Sequence, residues 1–134
     1  MAIIDASAYV ALMNEHEDAH ARCWAWFEQA QADQEPIVAP AILLAEVAAA
    51  LSRGMGNADL AKRIVQQLRH SEVIELVPVS PTIAEHAATI SAEVRIRGCD
   101  AVYVALADLL DDSLVTLDQQ QLERGAAVVA VREP

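Results

Sequence analysis

The sequence predicts an α/β fold, a mainly parallel central sheet flanked by helices on both faces. Two observations carry this expectation. Short apolar runs rich in β-branched residues alternate with longer stretches of helical periodicity, which is the pattern of βαβ units. The chain has 134 residues, of which 54 % are apolar, enough to bury one core and too apolar for a disordered chain. No internal repeat, low-complexity tract or linker interrupts it, so residues 1–134 are expected to form a single domain.

The elements follow in order. Ile3–Ile4 reads as a short buried strand running into Asp5, with a helix over Ser7–Met13. A second helix is expected from Glu17 to Ala32, carrying Cys23, Trp24, Trp26 and Phe27. Ile37–Ala39, between Pro36 and Pro40, is a strand, and Ala41–Arg53 a helix that Gly54 and Gly56 stop. Ala58–Ser71 is helical and Val73–Val79 a strand. Pro81 suits the first turn of a helix reaching Arg97, with Gly98 ending it. A helix then runs from Cys99 or Asp100 to Leu110. A strand over Leu114–Leu117, a short helix to Arg124 and a strand over Ala127–Val131 complete the chain.

Composition narrows the class. No apolar run approaches the ~18 residues that span a bilayer, and no basic segment leads into an apolar core at the N-terminus. A cytoplasmic protein is expected, with Cys23 and Cys99 as reduced core thiols. The net charge of −11 argues against a general nucleic-acid-binding surface. Positive charge is concentrated in one stretch, however: between Arg53 and His70 the only acid is Asp59, against Arg53, Lys62, Arg63 and Arg69. A solvated helix face accounts for it, and a phosphate-facing helix is the alternative.

The acids are placed more tellingly. Ligands of open α/β sheets bind beyond the carboxyl ends of the strands. Asp5 ends the first strand, Asp118 follows the Leu114–Leu117 strand, and Asp100 opens a helix that is apolar nearly all round. Glu46 borders the apolar stripe of Leu43, Leu44, Val47 and Leu51. Each aspartate alone reads as a helix N-cap, and Glu46 alone as an edge residue paired with an arginine. Gathered in one volume, four carboxylates repel unless cations neutralise them, and oxygen-only ligands suit Mg²⁺ or Mn²⁺.

The segments IIDASAYVALM, AEVAAALSR, RGCDAVYVALA and LVTLDQQQLERG, in that order, resemble the motifs of PIN-domain ribonucleases, specifically VapC-type toxins of toxin–antitoxin pairs. The likeness covers nearly the whole chain. It implies a PIN-like three-layer fold and a metal-dependent endoribonuclease with Asp5, Glu46, Asp100 and Asp118 as its acidic quartet. Asp5 and Asp100 are then the first choices for direct ligands, with Glu46 and Asp118 on a second ion or orienting a water. Ser7 and Thr116 match small hydroxyl positions beside the quartet. The implied partners are RNA, a cognate antitoxin and a second copy in a homodimer, and the implied products carry a 5′-phosphate and a 3′-hydroxyl. The acidic overall charge departs from what RNA docking suggests.

Other features weigh less. HEDAH at His16–His20 matches the H-E-x-x-H zinc pattern, but it straddles an expected turn after Asn14, and Cys23 and Trp26 stand where a third ligand belongs. His70 and His86 read as surface residues without partners, and Asp108, Asp111 and Asp112 as a solvated helix end. Trp24 and Phe27 share a helix face that is either core or part of an antitoxin groove. Two rival functions remain: a non-catalytic module of the same fold whose acidic cleft receives a basic partner segment, and a phosphotransfer-type domain. The second lacks its usual acidic pair, since Ala6 and Ser7 follow Asp5.

Overall fold

A computed structural model describes all 134 residues. The elements are β1 (Ala2–Ile4), α1 (Ala6–Met13), α2 (His20–Ala32), β2 (Ile37–Pro40), α3 (Leu43–Met55), α4 (Ala58–Arg69), β3 (Ile74–Val77), α5 (Pro81–Val94), α6 (Gly98–Leu109), β4 (Ser113–Val115), α7 (Gln119–Arg124) and β5 (Val131–Arg132), with a 3₁₀ turn at Gly125–Ala127. The five strands form one sheet in the order β3-β2-β1-β4-β5. Every pairing is parallel.

This order places the site. The chain steps outward from β1 through β2 to β3, then returns to lay β4 on the other side of β1. Right-handed crossovers therefore send α1–α4 to one face and α5–α6 to the other, giving three layers. Helix α6 lies across β1, β2 and β4 and packs against α5, while α3 packs on α1 and α4. The connections change direction between β1 and β4, and a crevice opens beyond the carboxyl ends of two strands at such a switch point. Ile4 pairs with Val115, so the next residues, Asp5 and Thr116, face each other there.

The central strands are apolar throughout because both faces are covered. Ile3, Ile4, Ile37, Val38 and Leu114 are buried on a core shared with Leu12, Leu43, Val47, Leu51, Ile90, Val104 and Leu106. Several expected boundaries shift. The helix expected over Pro81–Arg97 ends at Val94, because Arg95 adopts a left-handed conformation (φ 60°) and its N–H closes the turn on Ser91. Gly98 is the first residue of α6 rather than the stop of α5. Gly54 stays inside α3, and Gly56, at φ 62°, ends it. Residues Thr116 and Leu117 leave the sheet to reach the site. The last strand is only Val131–Arg132, since the 3₁₀ turn consumes part of the expected run.

Two assignments of single residues are corrected. Cys23 is buried, but Cys99 is exposed, because it falls on the outer side of the first turn of α6. His86 has a partner: its Nε2 lies 2.6 Å from Asp108 Oδ2, joining α5 to α6, so Asp108 is not simply solvated. Asp112 sits 3.4 Å from the N-terminal ammonium. No helix is long and apolar enough to cross a membrane.

Candidate active site

Asp5 is both cap and site residue. Its Oδ1 accepts from Ala8 N at 3.1 Å, closing the first turn of α1. Three side chains also converge on it. Ser7 Oγ donates to Oδ1 at 2.7 Å, while Thr116 Oγ1 and Gln121 Nε2 donate to Oδ2 at 2.6 and 2.7 Å. The direction of the hydroxyl bonds is set by the chain behind them. Ser7 Oγ accepts from Leu117 N at 3.0 Å and Thr116 Oγ1 from Asp118 N at 2.9 Å, which leaves each hydroxyl proton to Asp5.

All four donors are neutral, and Asp5 is 1 % exposed. Burial pushes its carboxyl up from 3.8 to about 6, against the lowering effect of the Thr116, Ser7 and Ala8 bonds, with the Asp100 charge adding to the rise. Gln121 is also buried, and its Oε1 is a buried side-chain atom with no hydrogen-bond partner.

Asp100 and Asp118 are held differently. Asp100 is not an N-cap: Arg97 holds that position, and Asp100 lies in the first turn of α6. Arg97 Nε donates to Asp100 Oδ2 at 2.8 Å, and the same guanidinium stands 3.6 Å from Asp118 Oδ2. Burial raises the Asp100 carboxyl, Arg97 opposes the rise, and Asp118 adds to it. Asp118 does cap α7, its Oδ1 accepting from Gln121 N at 3.0 Å.

Glu46, in the first turn of α3, accepts from Tyr103 Oη at 2.5 Å. Tyr103 is buried one turn beyond Asp100 on α6, and burial, followed by the bond to Glu46, raises its phenol. Glu46 is thus fixed from α6, the helix that also carries Asp100.

Of the four expected acids, the fold links Asp100 and Asp118 through Arg97, ties Glu46 to Tyr103 one turn along α6 from Asp100, and sets Asp5 beyond β1 with Ser7 and Thr116 beside it. Three members were not expected: Arg97, Tyr103 and Gln121. Arg97 and Tyr103 each stand three residues from Asp100, a helical spacing that the sequence displays. Gln121 is one of three consecutive glutamines, and nothing local marks it as the buried one. HEDAH splits as expected, with His16 in a turn and His20 opening α2, its Nδ1 2.8 Å from Ala11 O.

No three His, Cys, Asp or Glu side chains stand close enough to enclose an ion unaided. The donor chemistry nonetheless fits a hard divalent cation. All candidate ligands are carboxylate oxygens, and Arg97 already places a cation between Asp100 and Asp118.

The PIN domain family model matches residues 2–127, and the chain belongs to that family. Among solved structures it is similar to Mycobacterium tuberculosis VapC20, described as a sarcin–ricin loop cleaving toxin, at a TM-score of 0.80 and 19 % identity over 100 % of both chains. VapBC2 from Rickettsia felis, bound to a DNA fragment from its promoter, matches at 0.73 and 14 % identity, over 99 % of this chain and 98 % of that one. FitAcB from Neisseria gonorrhoeae matches at 0.72 and 19 % identity, over 98 % and 96 %. At such identities the likeness is one of fold. A search of curated proteins finds no significant match.

Proposed function

We propose that this protein is a metal-dependent endoribonuclease, the toxin of a toxin–antitoxin pair, acting as a single PIN domain over residues 1–134. What supports the reading is a PIN-family chain in which Asp5 lies beyond β1 at the switch point, Arg97 links Asp100 to Asp118, and Tyr103, one turn from Asp100 on α6, holds Glu46. VapC-type structural neighbours support it.

In this reading Asp5 and Asp100 hold a Mg²⁺ or Mn²⁺ directly, while Asp118 and Glu46 bind a second ion or orient its water. When bound, such an ion supplies positive charge to the scissile phosphate and lowers the pKa of its water. The protein's own part is positional. Ser7, Thr116 and Gln121 fix both oxygens of Asp5 by donation, so the carboxylate has one orientation. Tyr103 does the same for Glu46. Hydrolysis of an RNA phosphodiester at this site, with the P–O3′ bond broken and the leaving oxygen protonated, would leave a 5′-phosphate and a 3′-hydroxyl.

The partners proposed are RNA, an antitoxin and a second copy in a homodimer, in the cytoplasm. Trp24 (43 % exposed) and Met55 (39 %) line a groove whose apolar floor is Leu12 and Met13 and whose polar rim is Asn14, Glu15, His16 and His20, a surface proposed to receive an antitoxin helix. The test is RNA cleavage by purified protein with Mn²⁺ or Mg²⁺, with EDTA, and for Asp5→Asn and Asp100→Asn. Cleavage in metal that is lost in chelator and in both variants is expected. Full activity in EDTA, or in both variants, rejects the metal-nuclease reading. Absence of cleavage under every condition leaves the non-catalytic binding module of the same fold.

A further inference from the structure

Arg97 is the one cation inside the acidic crevice, and the sequence offers no separate reason for it. Its guanidinium touches Asp100 at 2.8 Å and reaches Asp118 at 3.6 Å, yet 71 % of its side chain is exposed, against 7 % for Asp100. The backbone beneath it is held from both sides. Arg95 turns left-handed at φ 60°, its carbonyl accepts from Arg124 Nη1, and Ser91 Oγ donates to Ile96 O at 2.6 Å. Arg97 itself is the N-cap residue of α6. A pinned backbone with an open side chain lets the guanidinium leave the carboxylates by rotation about its own bonds, without moving Asp100.

The carboxylates it occupies are those the proposed function gives to the metal. A guanidinium and a divalent ion bound to the same carboxylates repel at short range. The arginine also satisfies acceptors that the ion would need vacated. We infer that Arg97 is a displaceable internal counter-ion: it occupies Asp100 and Asp118 in the metal-free protein, competes with the divalent ion for them, and thereby sets the metal affinity of the site. It is a positioning residue that holds the two carboxylates together until the ion replaces it. This rests on the metal-site reading above.

The experiment is Mn²⁺ binding to metal-stripped protein, followed by the EPR signal of free Mn²⁺, for wild type, Arg97→Gln and Arg97→Lys. An exposed ion pair is weak, so its loss should tighten Mn²⁺ binding by about two- to fivefold in Arg97→Gln, with Arg97→Lys in between. Equal or weaker binding by Arg97→Gln, with wild type still binding, overturns the inference and leaves the metal site standing. Absence of Mn²⁺ binding in both overturns the inference and the metal-site reading together. Binding by Arg97→Gln alone supports it. A second readout uses unaltered protein. The side-chain Nε–H resonance of Arg97 should move from its ion-paired position as Mg²⁺ saturates the site, and a resonance that stays put while Mg²⁺ binds overturns the inference.

Discussion

Asp5 and the Asp100–Asp118 pair belong to one crevice, but opposite means hold them. Asp5 is sealed and surrounded by neutral donors, two hydroxyls, an amide and a backbone N–H. Asp100 and Asp118 share a charged arginine whose side chain stands mostly in water. Neutral donors orient a carboxylate without cancelling its charge, so burial still drives Asp5 toward protonation. A cation cancels charge but is screened and mobile, so it holds loosely. One side of the crevice is rigid and charge-poor, the other adjustable and charge-balanced.

Abolishing the carboxylates tests the comparison most severely. Asp5→Asn and Asp100→Asn should each lower metal-dependent RNA cleavage by on the order of 10²- to 10³-fold, measured as initial rates. Their stabilities should then differ in kind. The folded-state value of Asp5 lies above its unfolded one, so the stability linked to its protonation is complete below pH 3.8 and is lost as pH rises through about 6. The ionised group therefore costs roughly 3 kcal/mol at neutral pH. Asparagine carries no charge, and a flip of the Gln121 amide would turn its unpartnered Oε1 to accept from the new NH₂ group. Asp5→Asn should melt at or above wild type at pH 7.5 in chelator, the gap closing toward pH 4.5. A variant that melts far lower at both pH values would show that the donors, rather than the charge, dominate.

Loss of a donor probes the rigid side more gently. Thr116→Val strips Asp5 Oδ2 of one donor and leaves Asp118 N without its acceptor, which should cost about 1–3 kcal/mol in denaturant unfolding at pH 7.5. The cost should shrink at pH 4.5, where Asp5 is protonated. Tyr103→Phe frees Glu46 from its only side-chain partner. Cleavage should fall by about 10- to 100-fold, as for other outer partners of metal ligands. Arg97→Gln should change thermal stability least, by under about 1 kcal/mol, because that pair is exposed. A larger loss would make Arg97 structural.

Much of this site was legible from local chemistry. Asp5 and Asp118 sit where β-branched runs hand over to helices, and both prove to be caps as well as members of the crevice. Asp100 was legible as the mouth of a buried helix but not as what it is, a first-turn residue tied to Arg97. That depends on where α5 ends. Pro81 and the apolar spacing said where α5 begins, but no glycine marks its end, since Arg95 itself takes the left-handed turn. Cys99 and His86 were misjudged for a related reason. Residue type gives average exposure, whereas the rotation of a helix about its axis decides which side chain meets a neighbour.

The sequence by itself determined the alternation of strand and helix, and with it a parallel sheet, because apolar periodicity and turn residues act over a few positions. It also placed Asp5 and Asp118 where strands hand over to helices. Only the tertiary structure decided what surrounds them. Gln121 reaches Asp5 across 116 positions, Thr116 across 111, and Tyr103 reaches Glu46 across 57. The contacts to Asp5 exist only once β4 has crossed to the far side of β1, and the one to Glu46 only once α6 has packed back over the sheet; no local propensity encodes either.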